Sequence, residues 1–199
     1  MTAAPRRWLI GVAVLLLIVM VLAIGAIASG IFDPALAGPL QWRLNGGQIA
    51  VAPQSRHVTW LEEEIPQTDF TVRATGAFIR GEEDSGYGLT FGDEENYLAV
   101  AVSPLGYLAI WQSDLNTSAI NDSYLLQWQT WPHVKGDHEL NEIWIDIAGD
   151  QASVRINREW LWEGKIGRKS RRIGLLGESF GEGALFDFRS VELFADNNG

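Results

Sequence analysis

The sequence predicts an all-β protein, an antiparallel sandwich or barrel, that follows a single transmembrane α-helix. The run from Trp8 to Phe32 contains no charged residue. As a helix it would reach roughly 37 Å, more than the ~30 Å hydrocarbon core of a bilayer. After residue 40 there is no long helical pattern, and short runs of alternating polarity are separated by turn residues, which is typical of antiparallel sheets.

The N-terminal segment is predicted to be an uncleaved membrane anchor. Its apolar run is longer than the ~7–15 residues of a signal-peptide core, although small residues before Ser29 and Gly38 resemble cleavage sites. Arg6 and Arg7 precede the run, and the positive-inside rule places them in the cytoplasm. The predicted organisation is therefore a cytoplasmic stub at 1–7, a transmembrane helix at 8–32, a linker at 33–40 and an extracellular or periplasmic β-sandwich at 41–199.

Composition excludes several kinds of chemistry. The chain of 199 residues has no cysteine, which excludes disulfides and cysteine-bound metal centres. Its formal net charge is −10, so nucleic acid is excluded as an expected partner. No phosphate-binding glycine loop and no nucleophile elbow is present.

The strands are predicted from alternating runs between turn residues. Two short strands are expected in 41–68, from "QIAVAP" and "HVTWLEEE". The remaining strands are expected at 69–81, 86–93, 96–104, 106–114, 123–131, 141–149, 152–157, 171–178 and 184–194. In "NEIWIDIAG" the isoleucines Ile143, Ile145 and Ile147 share the face that enters the core, while Glu142, Trp144 and Asp146 are expected on a solvated face.

The order of these strands resembles the concanavalin A-like, or laminin G-like, jelly roll, and in particular the small bacterial domains related to the 3-keto-disaccharide hydrolase type. The similarity covers residues 69–194 and rests on Tyr87, Phe91, Asn96, Tyr97, Gly106, Tyr107, Asn141, Ile143, Ile145, Ile156, Asn157, Ile173, Gly174, Leu175, Phe186 and Asp187.

The resemblance implies a jelly-roll sandwich of two antiparallel sheets with six or seven strands each. It also places Trp128 in the core, because the family tends to have an aromatic residue there. Arg158 stands where the family pattern has a turn glycine. A two-residue hairpin turn usually needs glycine, so a longer or different turn is expected at 157–159.

Glu142 and Asp146 are the candidate catalytic residues if the protein is a glycoside hydrolase. Retaining glucanases of this fold carry Glu-x-Asp-x-Glu on the concave face, and this strand has the same spacing between its outer carboxylates. Trp144 replaces the central aspartate, however, and the strand matches a different position of the family pattern. The residues therefore favour a protein without catalysis.

Tryptophans are the second functional signal, because an exposed indole offers a flat apolar face on which a sugar ring can stack. The chain has nine, and Trp8 is expected to be an anchor at the membrane interface. The candidate ligand-binding residues are Trp131, Trp144, Trp111 and His133. Trp131 lies before Pro132 in a predicted loop, where packing explains a tryptophan less well than in a strand.

Charged clusters give two more candidate sites. The acidic turns "GEEDSG" and "GDEEN" contain Asp84 and Asp93, which are the candidate ligands for calcium. Calcium is the one candidate cofactor. The connection "GKIGRKSRR" is cationic and would suit an anionic glycan, phosphate headgroups or an acidic partner protein. Its candidate residues are Lys165, Arg168, Lys169, Arg171 and Arg172.

Three functions remain open from the sequence, in this order. The first is a membrane-anchored module that binds glycans or cell-envelope polysaccharide. The second is an accessory subunit of a membrane complex, whose helix would meet a partner through small residues such as Gly11, Ala23 and Gly25. The third is a glycoside hydrolase.

Overall fold

The computed structural model describes residues 4–28, 34–114, 121–166 and 172–196. The chain divides into two compact units, Met1–Ala35 and Leu36–Gly199. The first contains the helix α1, Ala4–Ala28. Its segment Trp8–Ala26 has a mean hydropathy of 3.1 and none of it is buried within the protein. The helix is therefore long and apolar enough to cross a membrane, and the second unit is the β-domain.

The β-domain contains thirteen strands in its described residues. The first group is β1 (Leu40–Leu44), β2 (Gly47–Val51), β3 (Ser55–Trp60), β4 (Phe70–Gly81), β5 (Ser85–Gly92), β6 (Asn96–Val102) and β7 (Tyr107–Asp114). The second group is β8 (Asn121–Thr130), β9 (Asn141–Ala148), β10 (Gln151–Ile156), β11 (Glu159–Lys165), β12 (Arg172–Ser179) and β13 (Ala184–Ala195). The eleven predicted strands are present, and β1 and β11 are two strands in addition to the predicted ranges.

The strands form two antiparallel sheets, which confirms the predicted jelly-roll sandwich. The seven-stranded sheet has the order β1-β13-β4-β9-β10-β11, and β2 also pairs with β13. The six-stranded sheet has the order β3-β12-β5-β6-β7-β8. The described pairings are antiparallel in both sheets.

The core lies between the inner faces of the two sheets. Ile143, Ile145 and Ile147 of β9 enter it as predicted, and Leu89 of β5 meets them from the other sheet. Because side chains alternate along a strand, each sheet also has an outer face made by the intervening residues. Those two outer faces carry the candidate sites.

The hairpin between β10 and β11 is tighter than predicted. Ile156 pairs directly with Glu159, so Asn157 and Arg158 alone make the turn. Their φ angles are 52° and 76°, the left-handed values that a two-residue hairpin turn requires. Arg158 therefore does not lengthen the turn, and it adopts a backbone conformation that ordinarily favours glycine. The Asn157 side chain supports it by accepting a hydrogen bond from the amide of Glu142 and donating to the carbonyl of His133.

Candidate functional site: the concave face of the six-stranded sheet

The outer face of the six-stranded sheet is concave. Arg56 on β3 and Asp122 on β8 belong to opposite edge strands, which in a flat sheet of this width would be about 24 Å apart. Their side chains nevertheless meet in two hydrogen bonds of 3.1 and 2.7 Å. The sheet must curve strongly to bring its edges together, and this curvature makes its outer face the concave face of the domain.

Small residues form the floor of this face. Gly88, Ala99, Ala101 and Ala109 occupy outward positions of β5, β6 and β7. Gly86 also lies on the floor, where a Cβ atom would be only 2.7 Å from Cη2 of Trp128. The absence of larger side chains is what allows tryptophan rings to lie close to the sheet.

An ion cluster closes one part of the concave face. Arg56 forms a bidentate pair with Asp122 and also contacts Glu178 Oε1, with Nη2 at 2.6 Å. Its guanidinium lies 4.7 Å from the centre of the Trp111 ring, a cation–π contact. The cluster therefore joins β3, β8 and β12 over a fully buried indole.

Burial and neighbouring charges perturb the groups of this cluster. Burial raises the pKa of Glu178, and the charge of Asp122 adds to this, while Arg56 opposes it. Burial alone would lower the pKa of Arg56, but the hydrogen bond with Asp122 and the charge of Glu178 raise it above its ordinary value. Burial and the charges of Glu178 and Asp122 raise the pKa of Tyr124. Arg56 thus stays charged, and Glu178 is the cluster member that binds a proton more readily than usual.

A groove of about 550 Å³ lies beside the cluster. Its lining residues are Asp84, Ser85, Ser103, Leu105, Tyr107, Trp128 and Phe180. Trp128 connects it to the cluster, because its ring centre is 6.3 Å from that of Trp111. Phe180 meets Trp128 edge-on at 6.0 Å and is itself 42% exposed. The groove therefore has aromatic walls open at the surface, within the size range of small-ligand sites.

Several buried polar atoms on and beside this face have no hydrogen-bond partner within the protein. They are Ser85 Oγ and Trp128 Nε1 in the groove, and Thr90 Oγ1, Trp111 Nε1, Ser113 Oγ and Glu178 Oε2 on the sheet. Native proteins pair most buried polar atoms, because leaving one unpaired costs about 1–3 kcal/mol. Each of these atoms is enclosed by protein, so a ligand in the groove would reach it only if neighbouring side chains moved.

The two carboxylates of the cluster lie close together. Asp122 and Glu178 both contact Arg56 Nη2, at 2.7 and 2.6 Å, so the two contacting oxygens are no farther apart than the ~5–5.5 Å carboxyl separation of retaining glycosidases. Hydrolysis needs one carboxyl as a proton donor and one as a nucleophile. Here one arginine holds both as acceptors, and burial raises the pKa of Glu178.

The predicted catalytic pair Glu142 and Asp146 lies on the other sheet, engaged with arginines. Glu142 is 3.7 Å from both Arg73 and Arg158, and Asp146 is 3.5 Å from Arg155. Asp146 also accepts a hydrogen bond from Thr71 at 2.6 Å. These contacts occupy both carboxylates, and they lie away from the groove.

The structure corrects the prediction of open rings at Trp144 and Trp111. Trp144 is 3% exposed and is covered by Arg73, which lies 5.3 Å from its ring centre. Trp111 is 0% exposed beneath Arg56. The solvated face expected around Trp144 is instead covered by arginine side chains, because their apolar stems and planar heads pack well on indoles.

Trp131 and His133 lie in the loop after β8, as expected. Trp131 is partly buried against the core, its Nε1 is unpaired, and its ring is 6.2 Å from that of the exposed His133. Neither lines the groove. Trp128, which the family resemblance placed in the core, is instead a partly exposed tryptophan of the concave face, as is Trp60.

The charged candidates are spread over several places. Lys165 is 3.5 Å from Asp150, and Arg172 is 3.0 Å from Glu94. Arg168, Lys169 and Arg171 lie outside the described residues. Asp93 Oδ1 accepts hydrogen bonds from the amides of Glu95 and Asn96, and Asp84 lines the groove. The described residues contain no cluster of three or more acidic or histidine side chains that would hold a metal.

Sequence reasoning missed Arg56, Asp122 and Glu178. Each stands in a different strand and in a segment without a recognisable motif. One signal was available in β12, where Glu178 falls at an outward position of a strand otherwise rich in apolar residues. Nothing in the sequence indicates that the sheet curves enough to bring Asp122 to Arg56 and Glu178.

Comparison with known proteins supports the fold. No family model and no curated protein sequence matches the chain. The carbohydrate-binding module CBM66 from Bacillus subtilis is similar in structure at 12% identity, covering 82% of this chain and 92% of that one, with a TM-score of 0.51. One of the endo-acting O-glycanases by which human gut microbiota initiate mucin breakdown is similar at 6% identity, covering 75% and 79%, with a TM-score of 0.52.

Sheep galectin-11 is also similar, at 9% identity and a TM-score of 0.48, with 72% of this chain and 98% of that chain covered. At such identities the likeness shows the fold alone, a concanavalin-like jelly-roll sandwich. The narrower relation to the 3-keto-disaccharide hydrolase type stays a prediction.

Proposed function

We propose that the β-domain is a glycan-binding module, held at the outer surface of a membrane by α1. The observation that carries this proposal is the groove on the concave face, where Trp128, Phe180 and Tyr107 form aromatic walls beside the exposed carboxylate of Asp84. A sugar ring needs both features, an apolar surface for its C–H face and hydrogen-bond partners for its hydroxyls. A carbohydrate-binding module with the same fold is consistent with the proposal.

The membrane part of the proposal rests on α1 and its flanking charges. The segment Trp8–Ala26 has the length and hydropathy of a membrane span. Arg6 and Arg7 precede it, so the positive-inside rule orients the N-terminus to the cytoplasm and the β-domain to the outside. Such a location would give the groove access to polysaccharide of the cell envelope.

The test is binding of the detergent-solubilised full-length chain to a panel of neutral and acidic polysaccharides, with calcium and with chelator. We expect saturable binding that falls at least about tenfold in Trp128→Ala, because the variant removes the central aromatic wall. Gly86→Ala should weaken binding as well, since its new Cβ displaces the indole without removing it.

The matched control is Trp160→Ala. Trp160 is 52% exposed and lies on the seven-stranded sheet, so the same substitution there should leave binding unchanged. Thermal unfolding of each variant checks that the domain is folded. Binding that survives Trp128→Ala, or that disappears in Trp160→Ala, would contradict the placement of the site in the groove.

A glycoside hydrolase is the second candidate, favoured by the separation of Asp122 and Glu178 alone. It predicts that the wild-type chain releases new reducing ends from a polysaccharide and that Asp122→Asn abolishes this release. The binding proposal predicts no release from any polysaccharide that the chain binds.

A further inference from the structure

The charges around the groove are negative. In the described part of the chain, Asp84 is the one acidic residue that lines the groove, and no lysine, arginine or histidine does. Asp84 is exposed at the groove edge, and Glu83 beside it is exposed outside the groove. An anionic ligand in this groove would meet a carboxylate and no countercharge.

The cation that covers Trp111 on the concave face is already neutralised. Arg56 uses Nε, Nη1 and Nη2 on Asp122 and Glu178, and its side chain is 16% exposed. Releasing it for a ligand would leave two buried carboxylates without their partner, which is strongly unfavourable. Arg56 is therefore a fixed structural cation rather than an anion receptor.

The accessible polar groups of the groove match hydroxyl groups. Asp84 and Tyr107 are the exposed polar residues among those that line it. A sugar hydroxyl donates one hydrogen bond and accepts others, so it can donate to the carboxylate of Asp84 or accept from the hydroxyl of Tyr107. A sulfate group or an ionised carboxylate only accepts, and facing Asp84 it would meet another negative acceptor.

We propose that the groove selects uncharged sugar units and excludes units that carry a carboxylate or sulfate group. This inference rests on the proposed function and specifies its ligand class. It also separates the groove from the cationic connection near Lys165 and Arg172, which pair with Asp150 and Glu94 away from the groove lining. Exclusion comes from the unfavourable placement of a second negative charge where water is partly displaced.

The test uses dextran, laminarin, inulin and galactomannan, each beside its sulfated derivative, with the full-length chain. For each polysaccharide, only the binding that is lost in Trp128→Ala is counted, and this binding is compared between the neutral and the sulfated form. We expect the neutral form of any bound polysaccharide to bind at least about tenfold more tightly than its sulfated form. Added salt should strengthen binding of the sulfated form and leave the neutral form unchanged, because salt screens repulsion.

Asp84→Asn and Glu83→Gln provide a matched pair of variants. Each removes one negative charge from the same turn, but Asp84 alone lines the groove. Asp84→Asn should reduce the ratio of the affinity for the neutral form to that for the sulfated form severalfold. Glu83→Gln should leave this ratio nearly unchanged. Sulfated polysaccharide that binds as tightly as its neutral form through Trp128 would overturn the inference while keeping the proposed function. Absence of binding to every neutral and sulfated probe would overturn both.

Discussion

The outer face of the seven-stranded sheet and the concave face of the six-stranded sheet are built from the same residue types, arranged differently. On the first, one cross-strand row runs through Arg43, Glu192, Arg73, Trp144, Arg155 and Trp160, each paired in register with the next. On the second, Arg56 reaches Asp122 from the opposite edge of the sheet. On the seven-stranded sheet the contacts follow from the pairing of neighbouring strands. On the concave face the contact between Arg56 and Asp122 follows from the curvature of the sheet.

The two faces also differ in how completely their polar atoms are paired. In the described part of the chain, the seven-stranded sheet leaves Trp144 Nε1 and the Arg155 Nε without a hydrogen bond, although Arg155 lies near Asp146. The concave face leaves Thr90, Trp111, Ser113, Trp128 and Glu178 each with an unpaired atom. The comparison teaches that similar residue types pair nearly all of their buried polar atoms on one face and leave several of them unpaired on the other.

The two faces should differ most in the free energy of unfolding that is lost when an arginine is removed from each. Arg56→Met leaves Asp122 and Glu178 as buried carboxylates without a partner, and we expect it to lower the free energy of unfolding by about 3–5 kcal/mol. Arg43→Met should cost about 1 kcal/mol or less, because Arg43 is mostly exposed and Glu192 keeps Arg73 at 2.5 Å. Urea denaturation of both variants measures the difference.

A triple variant separates charge burial from packing. Adding Asp122→Asn and Glu178→Gln to Arg56→Met removes the uncompensated charges while keeping the side-chain volumes similar. Most of the lost stability should return, because replacing a whole buried ion cluster is far less costly than breaking it. A triple variant as unstable as Arg56→Met would show that Arg56 acts by packing on Trp111 instead.

Titration of Glu178 should make the free energy of unfolding depend on pH. Burial raises the pKa of Glu178 in the folded protein above its ordinary value of 4.5. The folded state therefore binds a proton at Glu178 more tightly than the unfolded state does, and this residue stabilises the fold increasingly as the pH falls from neutral towards 4.5. As the pH rises through the folded pKa, that contribution is lost.

Glu178→Gln removes this titration and gives the measurement. The difference in unfolding free energy between wild type and variant should shift in favour of wild type as the pH falls towards 4.5. A difference that stays constant with pH, or that shifts in favour of the variant, would contradict the buried environment assigned to Glu178.

The contrast between the faces explains what could be predicted from the sequence. The alternation in "NEIWIDIAG" predicted the core isoleucines and the outward position of Glu142 and Asp146, because alternation is a local property of a strand. Burial of Trp144 under Arg73 depends on the register between β4 and β9, and the sequence does not state that register. The Arg56 cluster depends in addition on sheet curvature, which arises from all six strands together.

The tryptophans show the same limit. Trp111 and Trp128 both point outward from the six-stranded sheet, yet one is sealed by Arg56 and the other lines the groove. Side-chain alternation assigns them the same face, and only the position of Arg56 distinguishes them. A loop location, which favoured Trp131, did not bring that residue to the groove.

The smallest predicted effect concerns the turn that borders the seven-stranded sheet. Arg158 adopts φ 76° and lies 3.7 Å from Glu142, so this face combines a strained backbone with an ion pair that is half exposed. Arg158→Gly should raise the free energy of unfolding by about 1 kcal/mol, because glycine adopts left-handed φ values without the Cβ clash. Arg158→Ala is the matched control, since it loses the same contact with Glu142 and keeps the clash. A glycine variant no more stable than the alanine variant in thermal unfolding would mean that Asn157 and the flanking strands already relieve the strain at this turn.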